Sequence, residues 1–386
     1  MSMRIGVVLM NLGGPTHEDN VRTFLKNLFQ DEDIIKLGGG VTQKVFSNVI
    51  SKFRAPSVAE DYKEINGCPN GCTGNKHCFN RQNKVVSDCC SPINGLTEAQ
   101  RRGLEKYFKQ ILPDHEVMVY TCMRYWLPFA DQVMDDMVED GITHTVLMPL
   151  YPQFSWTTTG SSFRDWENVV KEKFPDGNKP WKEFHVKNYY LNESYLSAIN
   201  DRIDESLAEM DEDTRKKTHF IFSAHGTPLL EVRSGDPYTV EIKETMEAVM
   251  ERREEKNSYW LSFQSRVGPQ KWTQPNTEDL VERHLEYGIK NFLMVPIAFV
   301  TDHIETLYEL GVELVEDMEE EGFEFENYKV MQGLNDHPGY IRALAEETLN
   351  VLGHEIPESA VRWDQEKAVL QKNSKKSIPT ETVAKA

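Results

Sequence analysis

The segment Asn291–Glu313 constrains the fold of this chain more than any other stretch of its sequence. It opens with an uninterrupted apolar run, Phe292–Val300, which is typical of a strand buried on both faces of a sheet. Thr301 and Asp302 follow, and side chains of this kind can cap a helix. The segment therefore predicts a buried strand, a short connection and a helix, which together form one unit of a parallel α/β sheet.

The helix predicted after this strand carries a row of glutamates, Glu305, Glu309 and Glu313. Their spacing places them on one helical face, where like charges destabilise the helix unless a cation compensates for them. A solvated acidic face is the common explanation for such a row. The position favours a cation site instead, because ligands of open α/β sheets bind beyond the carboxyl ends of the strands. Spacing alone leaves both interpretations open.

Similar units of strand, polar loop and helix recur along the chain. The other apolar runs are Ile5–Met10, Val117–Tyr120, Thr145–Leu150, His219–Phe222, Tyr259–Phe263 and Tyr328–Met331. We therefore expect an α/β protein with two Rossmann-like, doubly wound domains and a functional cleft between them. The expected boundaries are 1–175 and 176–336 for the two domains and 337–355 for a closing helix, and the polar tail 356–386 is expected to be disordered.

Two predicted helices of the first domain carry distinctive side chains. One spans Thr97–Leu112, with Thr97 and Gln100 as a capping box at its start. The other lies in residues 34–54 and is amphipathic and basic. A basic amphipathic helix can lie on a membrane surface or at the rim of a pocket, and an ordinary core-facing helix fits the pattern equally well. Its apolar positions are Val45, Phe46, Val49, Ile50 and Phe53, and its basic positions are Lys36, Lys44, Lys52 and Arg54.

Composition excludes several classes of protein. The net charge of −19 argues against non-specific binding to nucleic acid. The chain has no apolar run of about 18 residues that could span a membrane. Residues 1–10 resemble a strand rather than a secretory signal. We therefore expect a cytoplasmic protein, with any membrane contact confined to its surface, and either a monomer or a homodimer fits the sequence.

Five of the six cysteines lie in one insert, residues 67–91, which is rich in Gly and Asn. A local cluster of cysteines in a long cytosolic chain indicates a metal or iron–sulfur site rather than a disulfide framework. An iron–sulfur cluster takes four thiolates. Structural zinc and free thiols are the alternatives. The candidate ligands are Cys68, Cys72, Cys78, Cys89 and Cys90, whereas Cys122 is expected to be a plain buried thiol.

Three predicted strand-end loops carry reactive side chains, and these converge if both sheets face one cleft. The loops hold Arg124 and Tyr125, His225, and His303–Glu305. His225 has small neighbours that leave its imidazole accessible as a proton acceptor or metal ligand, although a hydrogen-bonded core histidine is the alternative. The motifs G-x-S-x-G and H-E-x-x-H are absent from the sequence, which argues against a serine hydrolase and a zinc peptidase.

Seven segments, in order along the chain, carry a resemblance to a known family. They are LMNLGGP (9–15), MRYW followed by PF (123–129), LYPQFSWTTTGSS (150–162), SAHGTP (223–228), GDPY (235–238), FQSRVGPQKW (263–272) and PIAFVTDHIETLYELGVE (296–313). With these segments the chain resembles the ferrochelatases, which insert Fe²⁺ into a porphyrin in the last step of haem synthesis. The resemblance implies protoporphyrin IX and Fe²⁺ as substrates, bound in a cleft between two Rossmann-like domains.

The same resemblance implies roles for individual residues. His225 would take pyrrole protons or bind the metal, with Glu305 as its paired carboxylate. Glu309 and Glu313 would continue a row that delivers metal or removes protons. The residues expected to line or support the porphyrin cleft are Leu12, Arg124, Tyr125, Trp272, Phe299 and His303.

Two positions depart from the ordinary family pattern. Leu12 stands where other family members carry Met and the coproporphyrin-using branch carries Tyr, so it favours protoporphyrin. The cysteine insert is similar to that of bacterial members that hold a [2Fe–2S] cluster, and it implies this cofactor on four of its five cysteines. Alternatives that the sequence leaves open are a coproporphyrin ferrochelatase, a cobalt chelatase and, outside the enzymes, a non-catalytic haem-binding or iron-sensing protein.

Overall fold

The computed structural model describes residues 3–34, 40–65, 90–265, 270–357 and 360–363. Within these ranges the chain forms two four-stranded parallel sheets. The first sheet contains β1 (Arg4–Asn11), β2 (Glu116–Met123), β3 (His144–Pro149) and β4 (Lys182–His185), and the second contains β5 (His219–His225), β6 (Tyr259–Gln264), β7 (Asn291–Pro296) and β8 (Asn327–Val330).

Helices connect the strands and cover the sheets. In chain order they are α1 (Val21–Gln30), α2 (Gly40–Glu64), α3 (Pro92–Ile111), α4 (Ala130–Glu139), α5 (Ser161–Lys173), α6 (Glu193–Ala208), α7 (Glu212–Lys217), α8 (Leu229–Arg233), α9 (Tyr238–Glu251), α10 (Thr277–Glu286), α11 (Leu314–Glu320) and α12 (Pro338–Val351). A 3₁₀ turn covers Glu18–Asn20, and two segments, Trp156–Gly160 and Glu305–Glu313, have the wider π-helical turn.

The two sheets repeat one topology, β2-β1-β3-β4 and β6-β5-β7-β8. This confirms the predicted fold class of two doubly wound α/β domains. In each sheet the strand order reverses beside the first strand, between β1 and β3 and between β5 and β7, and this switch point is where such folds bind ligands. The predicted boundary at residue 175 precedes β4, which pairs with β3, so the first sheet takes its fourth strand from beyond that boundary.

Alternation along the strands builds a layered core. Ile5 and Val7 of β1 and Phe220 and Phe222 of β5 point into one shared core between the sheets, together with apolar residues of α3, α6, α9 and α12. Neighbouring strand residues point to separate cores on the outer faces, as side chains of successive strand residues must. The shared core holds the two sheets together and lets their carboxyl ends face one cavity.

Three predicted elements differ from the structure. β7 ends at Pro296 rather than Val300, because the chain turns there, with the backbone N–H of Phe299 bonded to the carbonyl oxygen of Pro296 at 3.4 Å. α3 begins at Pro92, so Thr97 and Gln100 lie inside the helix and do not form a capping box. The basic helix extends to Glu64, ten residues beyond its predicted end, and residues 35–39 lie outside the described ranges.

Candidate active site

One cavity of about 760 Å³ lies beyond the carboxyl ends of both sheets. The loops that follow β1, β3, β5 and β7 form its walls, so the switch points of both domains contribute to it. Its volume suits a sizeable organic ligand, because ligand pockets span roughly 300–1,000 Å³. Its lining includes Asn11, Leu12, Tyr125, Leu150 and Thr158 from the first domain and His225, Trp272, Phe299, His303 and Glu305 from the second.

His225 ends β5 and lines the cavity with a fixed tautomer. Its Nδ1 lies 2.7 Å from the carbonyl oxygen of Gly226. A carbonyl can only accept a hydrogen bond, so Nδ1 carries the proton and Nε2 keeps a free lone pair. Gly226 is needed at this position, because a Cβ there would lie 2.9 Å from the carbonyl oxygen of Gln264. The motif thus presents an imidazole ready to accept a proton or bind a metal.

His303 lies across from a carboxylate in the same cavity. Its Nδ1 donates to the carbonyl oxygen of Thr301 at 3.0 Å, which directs Nε2 toward Glu305, with 3.8 Å between Nε2 and Oε1. His303 Nε2 has no hydrogen-bond partner among the described residues. Burial alone lowers the pKa of His303, but its interaction with Glu305 outweighs burial and raises the pKa above its ordinary value.

Glu305 is a mostly buried carboxylate, with a side chain that is 20% exposed, and its hydrogen-bonding capacity is incompletely satisfied. Its Oε2 atom is buried and has no hydrogen-bond partner within the described part of the chain. Burial raises the pKa of Glu305, but the nearby histidines His225 and His303 reverse this and hold the pKa below its ordinary value. Glu305 is therefore ionised, with an oxygen free to meet a cation or a proton.

The acidic row leads from this buried position to the surface. Glu309 is partly buried and accepts hydrogen bonds from the Ser265 hydroxyl at 2.8 Å and from Gln264 Nε2 at 3.3 Å. Burial and the charge of Glu305 raise the pKa of Glu309 to about 7. Glu313 is exposed at the outer end of the row. The solvated-face interpretation fits Glu313 alone, because Glu305 lies inside the protein.

The segment that carries this row, Glu305–Glu313, is a π-helix that passes into α11, rather than the ordinary α-helix that the spacing predicted. Turns of this kind are rare overall and are frequent at functional sites. Asp302, predicted as a cap, instead accepts from the backbone N–H of Gly333 at 3.0 Å and from Asn335 Nδ2 at 2.8 Å. These tertiary contacts act together with Thr306 of the π-helix, whose hydroxyl donates to Asp302 at 3.2 Å and accepts from the backbone N–H of His303 at 3.1 Å.

Arg124 and Tyr125 meet a buried carboxylate, Asp31. Asp31 Oδ2 accepts hydrogen bonds from the Tyr125 hydroxyl at 2.7 Å and from Ser161 Oγ at 2.5 Å, and it pairs with Arg124 Nη2 at 3.0 Å. Arg124 also pairs with Asp165 at 3.3 Å. Tyr125 lines the cavity, whereas the guanidinium of Arg124 is engaged by the two carboxylates behind it.

The remaining predicted cleft residues come together as apolar walls. Leu12 lies on the first-domain side, and Trp272 and Phe299 lie on the second-domain side. The Phe299 ring packs against His303 with 4.7 Å between ring centroids. Flat apolar walls with a few polar groups suit a planar apolar ligand that is oriented by its polar edges.

Helix α2 turns its apolar row outward. Val41 and Phe53 are 78% and 77% exposed, and Phe46 is 50% exposed. Gln43, Ser47 and Ser51 form the buried face instead. Only Ile50 of the predicted apolar row packs against the core, so the core-facing interpretation of this helix is wrong for most of the row. None of the described helices is long and apolar enough to cross a membrane.

The cysteine insert falls almost entirely outside the described residues, including Cys68, Cys72, Cys78 and Cys89. Cys90 is buried in an apolar cluster with Phe29 and Tyr62, and burial raises the pKa of its thiol to about 12. No group of three or more metal-binding side chains occurs in the described ranges. Cys122 is a free, buried thiol in the outer core of the first sheet, as predicted.

Several cavity-lining residues are absent from the predicted site residues, among them Arg54, Asp61 and Tyr238. Arg54 is the one Arg or Lys among the described lining residues. The buried Tyr238 has a hydrogen bond with the backbone of His225. Arg54 belongs to the basic helix and Tyr238 to the GDPY segment, so both lie in segments that the sequence analysis singled out. Only the fold shows that these two side chains face the cavity.

A cavity of this kind suits a flat apolar ligand and, beside it, a cation or the protons that the ligand gives up. A metal chelatase requires such a cavity. Comparison with known proteins makes the assignment specific. The ferrochelatase family model matches residues 4–351. Ferrochelatase from Gloeothece citriformis is 39% identical over 90% of this chain and 83% of its own length, and ferrochelatase from Rippkaea orientalis is 38% identical over 89% and 81%.

The chain belongs to the ferrochelatase family and is a porphyrin metal chelatase, a lyase. Among solved structures, SirB from Bacillus subtilis with Fe³⁺ is similar at a TM-score of 0.47 and 12% identity, covering 92% of this chain and 98% of that chain. That similarity is weak and adds nothing to the family assignment.

Proposed function

We propose that this ferrochelatase inserts Fe²⁺ into protoporphyrin IX, with His225 and Glu305 at the reacting centre. The observation that carries the proposal is the state of Glu305, an ionised carboxylate with one unpartnered oxygen inside a cavity with apolar walls. A buried charge of this kind is costly unless a partner arrives, and it marks a functional site. The substrate metal supplies the missing positive charge.

The chemistry requires two pyrrole N–H protons to leave for each Fe²⁺ that enters, so the charge of the macrocycle does not change. His225 Nε2 has one free lone pair, so it accepts the two protons one at a time and releases the first to solvent before it takes the second. Glu305 meets the cation, and His303 supports Glu305 from 3.8 Å. Glu309 exchanges protons near neutral pH, because its pKa is about 7, and Glu313 connects the row to solvent.

The porphyrin ring lies between the apolar walls formed by Leu12, Tyr125, Trp272 and Phe299. Arg124 acts behind this wall by holding Asp31 and thereby Tyr125. Arg54 offers a cation to a propionate group, since it is the described Arg or Lys that lines the cavity.

The direct test is metal insertion by His225→Ala, with His185→Ala as a control histidine outside the cavity. We expect His225→Ala to lose about 10²- to 10⁴-fold in kcat, as typical for a general base, while binding of protoporphyrin, followed by fluorescence quenching, persists. Unchanged turnover would contradict the assigned role. Competition with coproporphyrin and with Co²⁺ tests the substrates, and tight haem retention without turnover would instead identify a haem-binding protein.

We also propose that the cysteine insert holds a [2Fe–2S] cluster on Cys68, Cys72, Cys78 and Cys89. A cluster takes four thiolates, and burial of Cys90 among apolar side chains leaves four other cysteines in the insert. Cys72→Ser is expected to lose the visible absorption of the cluster, whereas Cys90→Ser keeps it. A colourless wild-type protein with about one zinc ion per chain would instead show that the insert holds structural zinc.

The exposed face of α2 supports a third proposal, a cytoplasmic protein that docks on the membrane surface. Apolar residues beside Lys44, Lys52 and Arg54 suit an anionic lipid surface, and Arg54 and Val58 of the same helix line the cavity. Phe46→Glu with Phe53→Glu should abolish co-sedimentation with anionic vesicles. Val240→Glu, at an equally exposed position of α9, should not change it.

A further inference from the structure

Helix α3 belongs to the first domain, yet one of its side chains holds a loop of the second. Gln100 is fully buried, and its Nε2 donates to Thr301 Oγ1 at 2.9 Å and to the carbonyl oxygen of Asn335 at 3.0 Å. The partners lie 201 and 235 positions away along the chain. Gln100 therefore links the domains at the loop that precedes the π-helix.

The loop that Gln100 contacts fixes the orientation of His303. The carbonyl oxygen of Thr301 accepts from His303 Nδ1 at 3.0 Å, so the residue held by Gln100 also sets the tautomer of His303. Asn335, the other residue held by Gln100, has a left-handed backbone with φ of 47°. It binds Asp302 from both sides, accepting from its backbone N–H at 3.0 Å and donating to its carboxylate at 2.8 Å.

The same stripe of α3 also holds the opposite wall of the cavity. Asn94 donates to the carbonyl oxygen of Gly14 at 2.7 Å and accepts from the Gly14 N–H at 3.0 Å. Thr97 Oγ1 accepts from Asn11 Nδ2 at 3.0 Å. Asn94, Thr97 and Gln100 are spaced three residues apart, so they lie along one face of the helix. One helix thus positions the loop of Leu12 and the loop of His303 relative to each other.

Gln100 itself shows that this contact is specific. Its Oε1 atom is buried without a hydrogen-bond partner among the residues that the structure describes. An unsatisfied buried acceptor destabilises the fold, and an apolar side chain would avoid that cost. The stabilising contribution of Gln100 therefore comes from the two hydrogen bonds that its Nε2 group donates to the second domain.

We propose that Gln100 is a positioning residue for metal insertion, which acts through Thr301 on His303 and thereby on the His303–Glu305 pair. It is not expected to contact either substrate, since it does not line the cavity. The inference rests on the proposed function for its assay, because metal insertion is the activity that is measured.

The test is a double-mutant cycle with Gln100→Met, which keeps the shape of the side chain and removes its donor. We expect about a tenfold loss in kcat with the KM for porphyrin unchanged within about twofold. In a His303→Ala background the same substitution should change kcat less than about twofold, because the residue through which it acts is gone. Thr301→Val, which removes one acceptor hydroxyl, is a milder variant should Gln100→Met fold poorly, and it should show the same dependence on His303.

Asn291→Leu is the matched control. It removes another buried amide, which donates to Glu326 at the opposite end of β7, and should lower the free energy of unfolding. Any change in kcat should be the same with and without His303. Equal losses from Gln100→Met with and without His303 would overturn the proposal. An inactive wild-type enzyme would instead overturn the proposed function, so the two failures are distinguishable.

Discussion

Two buried carboxylates, one in each domain, differ in how completely they are paired. Asp31 in the first domain meets a guanidinium and two hydroxyl groups. Glu305 in the second domain has one oxygen with no partner in the described structure and a histidine at 3.8 Å from the other. The domains share one strand order, so the topology alone does not explain the difference. A saturated carboxylate holds structure together, and an unsaturated one can exchange ligands.

This contrast assigns different tasks to the two halves of the cavity. The first domain contributes walls and the Asp31 network that keeps Tyr125 in place. The second domain contributes His225, His303 and the acidic row. Symmetric topology thus supports an asymmetric site, and in the proposed function one half orients the porphyrin while the other exchanges its protons for metal.

The largest expected effect comes from removing the unsaturated charge. Glu305→Gln should lower kcat for metal insertion by about 10²- to 10⁴-fold, because the neutral amide neither attracts the cation nor accepts a proton. The free energy of unfolding, measured with urea, should fall by no more than about 1 kcal/mol, since the favourable interaction of the ionised carboxylate with His225 and His303 is lost. A large loss of stability would show that Glu305 is structural, like Asp31.

Asp31→Ala should show the opposite pattern. It leaves Arg124 and Tyr125 without their shared acceptor, and breaking a buried ion pair on one side costs about 3–5 kcal/mol of unfolding free energy. The kcat of the folded fraction should fall less than in Glu305→Gln. Asp31→Asn, which keeps an acceptor oxygen, is the control and should lose less stability. Equal losses in both variants would show that the charge of Asp31 alone stabilises the fold and that the hydrogen bonds it accepts contribute nothing.

The smallest expected effect is that of Glu309→Gln on the free energy of unfolding, and it depends on pH. Its pKa in the folded state is about 7, against an ordinary value of 4.5, so folding favours its protonated form. Its contribution to stability is complete below about pH 4.5 and is lost as the pH rises through about 7. Glu309→Gln should therefore become more stable than wild type across this window, by on the order of 2–3 kcal/mol.

Urea unfolding of Glu309→Gln and wild type at several pH values between about 5 and 8 checks this prediction. Glu313→Gln is the matched control, because this carboxylate is exposed at the outer end of the same row. A stability difference for Glu309→Gln that is constant with pH would contradict the raised pKa.

Strands were predictable from sequence because parallel strands buried on both faces leave uninterrupted apolar runs, as in Ile5–Met10 and His219–Phe222. The short edge strand β4 was missed, since Lys182–His185 is half-exposed and lacks such a run. The apolar row of α2 was recognised, but its direction was not. Periodicity shows that side chains share a face without showing what that face meets.

The residues of the site were likewise only partly predictable from the sequence. Sequence alone predicted that His225, His303 and the glutamate row converge, because reactive side chains directly after apolar strands meet at one edge of a parallel sheet, and these residues line one cavity. It misjudged Thr97 and Gln100, whose spacing suggested a local capping box. Only the tertiary structure decided that Gln100 meets Thr301, that Asp31 is saturated and that Glu305 is not, because hydrogen-bond partners distant in the chain are set by packing rather than by local pattern.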